Sequence, residues 1–201
     1  NENVLAEEQI FRFPISSNPL LDPQRLQYNF EFDIVNNVME GLLRLDENDQ
    51  PEPAMAERWE SSEDGMEWTF YLRDAVWSDG SPVTADDFVY AWERAVDPDV
   101  GSIYADIVGD YIKQVEAPDE KLLKVELRNP TPYFESLMTF GTYLPAKKEF
   151  VESVGEGYGT AADKLLYNGP FKLVEWDQNN RLVLQKNENY WAADRVTLQE
   201  V

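Results

Sequence analysis

The stretch Trp77-Ser78-Asp79-Gly80-Ser81-Pro82-Val83-Thr84-Ala85-Asp86-Asp87-Phe88 decides the fold. Its Ser78 to Pro82 portion is a turn by composition, because Asp, Gly, Ser and Pro each favour chain reversal. Thr84 then opens a helix. Its hydroxyl can accept from the backbone N–H three residues on, and Asp86 and Asp87 stand where the positive helix end favours anions. Loss of that cap costs ~1 kcal/mol. Downstream, Phe88, Trp92 and Ala95, flanked by Val89 and Val96, form an apolar stripe on a helix that ends before Pro98. Upstream, Trp68, Phe70 and Leu72 alternate with Thr69, Tyr71 and Arg73, the period-two pattern of a strand with one buried face.

Working outward, Ile10, Phe11, Phe13 and Ile15 alternate with polar neighbours and predict a short strand over 9–15, then a loop through Pro19 and Pro23. Ile34, Val35, Val38, Met39 and Leu42 recur at helical spacing and predict a helix over 32–43 with Gly41 near its end. Asp46 to Pro53 reads as a polar surface connection. Tyr111 to Val115 and Leu122 to Arg128 predict a hairpin about Ala117-Pro118-Asp119-Glu120, and Phe171 to Trp176 and Leu182 to Lys186 a second about residues 177–180. Helices are expected over 133–140 and around 147–154, with a glycine-rich loop or hinge at 155–159. No internal repeat appears.

The composition excludes much chemistry. The 201 residues hold no His and no Cys, so there is no Ser-His-Asp triad, thiol nucleophile, disulfide or His/Cys metal site. With 39 acids against 17 bases the formal charge is −22, and residues 1–100 carry 23 of the acids but only 6 of the bases. Such a surface repels nucleic acid and anionic lipid, and reads as a solvated acidic exterior; attraction of cationic peptides is the sharper alternative. No apolar stretch approaches the ~18 residues needed to span a bilayer. Asp46, Asn48, Gln50 and Glu57 faintly resemble a calcium loop, but Pro51 stands where that loop needs glycine, so a polar connection is the better reading. No metal or cofactor is expected.

In chain order, the sequence then shows Leu21-Asp22-Pro23, Glu40-Gly41-Leu42-Leu43, Pro53-Ala54-Met55-Ala56-Glu57-Arg58-Trp59, the segment from Trp68 to Phe88, Pro132-Tyr133-Phe134, Asn168-Gly169-Pro170-Phe171 and Asn187-Glu188-Asn189-Tyr190-Trp191. These motifs, in this order, resemble the extracytoplasmic solute-binding proteins of oligopeptide and dipeptide ABC transporters. Most of each motif reads equally well as scaffold, and the tryptophans as core.

The resemblance implies a mixed α/β (α+β) fold of the type II periplasmic-binding-protein kind, present in part. Residues 1–45 and 161–201 would form part of one lobe, with 46–160 inserted as a small domain. A second lobe, which in the family supplies the aspartate for the ligand's terminal ammonium, has no counterpart in these residues, and the chain alone is expected to bind weakly. The implied function is a non-enzymatic peptide receptor of an importer, holding an extended peptide by its backbone, with permease subunits as partners. The implied location is extracytoplasmic, either periplasmic or lipid-anchored through a cysteine upstream of Asn1. On the ungapped stretch after Leu21-Asp22-Pro23, Gln27, Tyr28 and Asn29 resemble the segment lining the family's cleft, although Gln27 stands where an acid can stand and Tyr28 where glycine can. Tyr104 resembles a ligand-contacting tyrosine of the small domain. An adhesin or signalling module on the same fold is the first alternative. A hydrolase using a pair of carboxylates is the second.

Overall fold

The computed structural model describes residues 8–178 and 180–201. Three antiparallel sheets and a set of short helices share one buried apolar cluster. The decisive stretch forms as its sequence dictates. Strand β4 (Glu67–Leu72) buries Trp68, Phe70 and Leu72 on one face. It lies between β3 (Ala56–Ser61) and β6 (Leu122–Leu127) in a four-stranded sheet of order β3-β4-β6-β5, where β5 is Ile112–Asp119. Trp68 faces Val125 and Phe70 faces Leu123 in register, so large apolar groups stack across the inner face. After the turn, where Gly80 takes φ 85°, helix α2 (Ala85–Val96) lays Phe88, Ala91, Trp92 and Ala95 against β5 and β6. Thr84 is the N-cap, and its N–H donates to Asp87 Oδ2 at 3.0 Å, the reciprocal half of a capping box. Trp77 Nε1–H donates to the same oxygen at 3.0 Å, which fixes the start of the helix on the end of the turn. Full burial of an aromatic such as Trp92 is worth about 1.5–3 kcal/mol.

Several boundaries differ from the sequence expectation. Helix α1 occupies Asn29–Val38 rather than 32–43. It stops because Gly169 N–H donates to Val38 C=O at 3.0 Å, while the Asn168 amide brackets Glu40, accepting its N–H at 3.0 Å and donating to its C=O at 2.9 Å. Those contacts hold Met39 extended and end the helix before Gly41. The polar connection after Leu43 is a small hairpin of β1 (Leu43–Leu45) and β2 (Pro51–Pro53), its turn closed by Asp46 Oδ1 accepting from Asn48 N–H and Gln50 N–H, both at 2.8 Å. Those bonds hold the Asp46 carboxyl below its ordinary pKa. At the N-terminal end the expected strand is a single bridge from Ile10 to Glu200. Pro14, lacking an N–H, limits further pairing.

Helix α3 (Ala105–Gly109) follows Tyr104, and the helix expected over 133–140 is the single turn α4 (Phe134–Leu137). Beyond it the chain tightens to i→i−3 bonding, with Thr139 N–H donating to Ser136 C=O at 3.3 Å and Phe140 N–H to Leu137 C=O at 3.0 Å. Helix α5 (Lys148–Val154) lies within its expected range. The hairpin of β7 (Phe171–Asp177) and β8 (Arg181–Lys186) also forms as read; Asn179 in its turn lies outside the described residues. Gly159 takes φ 75° with its Cα against the backbone of Asp22, a close-packed position within the expected loop.

Candidate functional site

The segment Gln27-Tyr28-Asn29 forms the entry to α1, and one buried carboxylate sets its shape. Glu31 is 3% exposed. Its Oε1 accepts from Leu20 N–H at 2.8 Å, and its Oε2 accepts from Gln27 N–H at 2.8 Å and Tyr28 N–H at 3.1 Å. Tyr28 is extended, with φ −113° and ψ 144°. An extended residue directs its own N–H and C=O to one side and the flanking C=O and N–H to the other, the alternation that builds a β-ladder. Tyr28 spends its own pair inward: the N–H goes to Glu31, and the C=O accepts from Glu31 N–H at 2.9 Å and Phe32 N–H at 3.4 Å. Gln27 C=O and Asn29 N–H therefore point outward. The Asn29 N–H belongs to the first turn of α1, where helical geometry supplies no partner.

Tyr104 joins this corner through Phe32. The two rings meet edge-on with centroids 5.8 Å apart, and Phe140 completes a trio at 5.1 Å from each. A side chain at Gly141 would stand 2.8 Å from the Phe32 ring, so the absence of one lets the trio close. Tyr28 is 58% exposed and lies nearly parallel to Phe30, centroids 5.7 Å apart and planes 7° apart. Gln27 and Asn29 are exposed and Tyr104 half-buried, so all four residues picked from the sequence reach solvent, and Tyr104 is joined to α1 through the Phe32 ring.

Glu31, Phe32 and Phe140 were not among them. Glu31 could have been found, since it stands three residues after the helix cap at the capping-box offset. Phe32 and Phe140 are joined only by the fold. The groove of about 380 Å³ between residues 10–15 and β8 lies apart from this corner. Among the described residues, no group of three or more His, Cys, Asp or Glu side chains converges to hold a metal ion.

A second polar centre explains several motifs as framework. The 5%-exposed Glu40 accepts from Tyr190 Oη–H at 2.6 Å and from Trp191 Nε1–H, and Arg44 Nη1 approaches it at 3.4 Å. The Arg73 guanidinium lies 3.5 Å from the Trp191 ring centroid. Burial pushes the Glu40 carboxyl above its ordinary pKa, against the lowering influence of those donors and arginines.

Comparison with known proteins places the chain. Residues 50–201 match the bacterial extracellular solute-binding proteins, family 5 middle region, and the chain belongs to that family. It is 40% identical over 184 residues to the oligopeptide-binding protein OppA of Bacillus subtilis, covering 84% of this chain and 34% of OppA. It is 35% identical to the probable deoxycholate-binding periplasmic protein YgiS of Escherichia coli, covering 98% of this chain and 40% of that one. The structure of Listeria monocytogenes OppA bound to peptide superposes with a TM-score of 0.93 at 36% identity, covering 97% of this chain and 42% of that one. The fold is thus a partial segment of the type II periplasmic binding fold, mixed α/β as expected. The chain spans between about a third and two fifths of the length of these relatives. They are named as solute-binding proteins, and among the described residues no helix is long and apolar enough to cross a membrane.

Proposed function

We propose that this chain is the part of an extracytoplasmic peptide receptor that supplies one wall of the ligand cleft, delivering peptide to the permease of an ABC importer. The observation that carries the reading is the outward pair, Gln27 C=O and Asn29 N–H, flanking the extended Tyr28. One ligand residue can donate its N–H to the first and accept from the second, as in a parallel ladder. Backbone pairing of this kind is common to all peptides and so suits a receptor of broad specificity. Tyr104 would face the same ligand from residues 46–160, read as a small domain inserted between 1–45 and 161–201. Binding without chemistry agrees with the solute-binding names of the relatives. Both a periplasmic receptor and a lipid-anchored one fit this role.

The test is Asn29→Pro. Proline is favoured at the first position of a helix and requires an extended residue before it, which Tyr28 already is. The variant removes the outward donor and leaves the fold intact. Calorimetry of the full-length receptor against a mixed pool of short peptides should show affinity lowered about tenfold with an unchanged melting temperature. Equal affinity in the variant would overturn the reading. The deoxycholate-binding name of one relative, together with the exposed apolar side chains at this corner, favours an apolar non-peptide solute as a second reading. Heat from deoxycholate but from no peptide would select it.

A further inference from the structure

Resting on that reading, we infer that Tyr28 is a specificity-determining residue and that the preferred ligand carries a bulky apolar or aromatic side chain on the paired residue itself. Tyr28 lies between the two outward backbone groups, so a chain paired to Gln27 and Asn29 must pass its ring. A ligand side chain on the same face meets that ring as a cross-strand neighbour. The ring is presented rather than buried. It is 58% exposed, and Phe30 backs it in a nearly parallel stack, which fixes its plane and leaves the outer face open to another flat or branched group.

The Tyr104 side of this corner carries apolar groups too: Ile103, next to Tyr104 in sequence, is 58% exposed, and the Tyr104 ring meets the Phe32 and Phe140 rings. On a chain of charge −22 the obvious competitor is a cationic ligand. The carboxylate nearest the segment does not serve one. Glu31 is buried, and both its oxygens are taken by three backbone N–H groups. Asp33, the next acid along α1, is five residues beyond Tyr28, about 140° around the helix. Gln27 is neutral. The side chains exposed along the segment itself are thus the Gln27 amide, the Tyr28 ring and the Asn29 amide.

The test is a tetrapeptide series of fixed backbone in which each position in turn is Ala, Leu, Phe, Lys or Glu, titrated by calorimetry into the full-length receptor and its Tyr28→Ala and Tyr28→Phe variants. At one position Phe and Leu should bind about five- to tenfold tighter than Ala. That ratio should fall below twofold in Tyr28→Ala and survive in Tyr28→Phe, which keeps the ring. A ratio unchanged in Tyr28→Ala, or a Lys peptide binding tightest, overturns the inference while leaving the peptide reading in place. Absence of binding by every peptide overturns both.

Discussion

Arg94 and Asp22, 72 residues apart in sequence, meet as a two-point ion pair inside the protein, with Nη2 to Oδ2 at 2.6 Å and Nη1 to Oδ1 at 2.7 Å. Asp22 is fully buried and the Arg94 side chain 12% exposed. Arg94 Nη1 also reaches Gln24 Oε1 at 3.0 Å, and the Tyr158 ring lies 5.4 Å from the guanidinium. The pair ties the Leu21-Asp22-Pro23 segment to the last turn of α2. Replacing Arg94 by Leu leaves a buried carboxylate without its cation, and should cost about 3–5 kcal/mol in urea unfolding. A loss under 1 kcal/mol would mean that Asp22 finds adequate partners elsewhere.

Two glycines should prove far less tolerant than their loop positions suggest. A Cβ at Gly159 would fall 2.4 Å from Asp22 N, and one at Gly169 would fall 2.6 Å from Met39 N. In both cases the obstacle is backbone, which cannot move aside as a side chain can. Gly155, by contrast, has φ 63° but open space around its Cβ position. Gly159→Ala and Gly169→Ala should each cost more than Gly155→Ala, about 3 kcal/mol or more against about 1–3 kcal/mol for a change that strains only the backbone, as read by denaturant midpoints.

The same contacts explain what the sequence could and could not disclose. Strand β4, helix α2 and the two long hairpins carry their signal within a few residues, as alternation or as a stripe, and they form much where the pattern puts them. The C-terminal end of α1 does not, since it is set by Asn168 and Gly169, 128 or more residues away. Strand β3 was missed because only Ala56 and Trp59 turn from solvent, and Glu57, Arg58 and Glu60 mask the alternation. At the candidate site, Gln27, Tyr28 and Asn29 have no local pattern that separates them from any exposed turn, so only family resemblance singled them out. Tyr104 meets Phe32 through tertiary folding alone.

Glu40 gives a prediction in pH. Burial raises its carboxyl pKa above the ordinary value of 4.5, so the folded protein holds this proton more tightly than the unfolded chain. Its contribution is fully present below pH 4.5 and is lost as pH rises through the raised folded value. Glu40→Gln has a neutral amide throughout and lacks this loss. The variant should therefore gain stability relative to the parent as pH rises from 4 to 8, measured by urea unfolding of both proteins at each pH. Asp87, whose pKa burial also raises, is common to both and cancels in the difference. A variant that loses ground with rising pH would show that the hydrogen bonds from Tyr190 and Trp191 outweigh burial.

Glu31 links stability to the proposed ligand wall. Its two oxygens hold Leu20, Gln27 and Tyr28 by their N–H groups, which fixes Tyr28 as extended and turns the neighbouring C=O and N–H outward. In Glu31→Gln only one side-chain oxygen remains to accept, and the amide nitrogen, itself a donor, faces at least one backbone N–H. Hydrogen bonds to charged groups are worth about 1.5–3 kcal/mol, so the variant should lose roughly that much stability. If Glu31 acts only as framework, ligand affinity measured well below the melting temperature should follow the parent's. If it positions the segment, affinity should fall about tenfold even where the variant is fully folded, because the outward pair is no longer held in register. Calorimetry with a tight-binding peptide at 15 °C, alongside circular dichroism to confirm folding, separates the two, and we expect the loss of affinity.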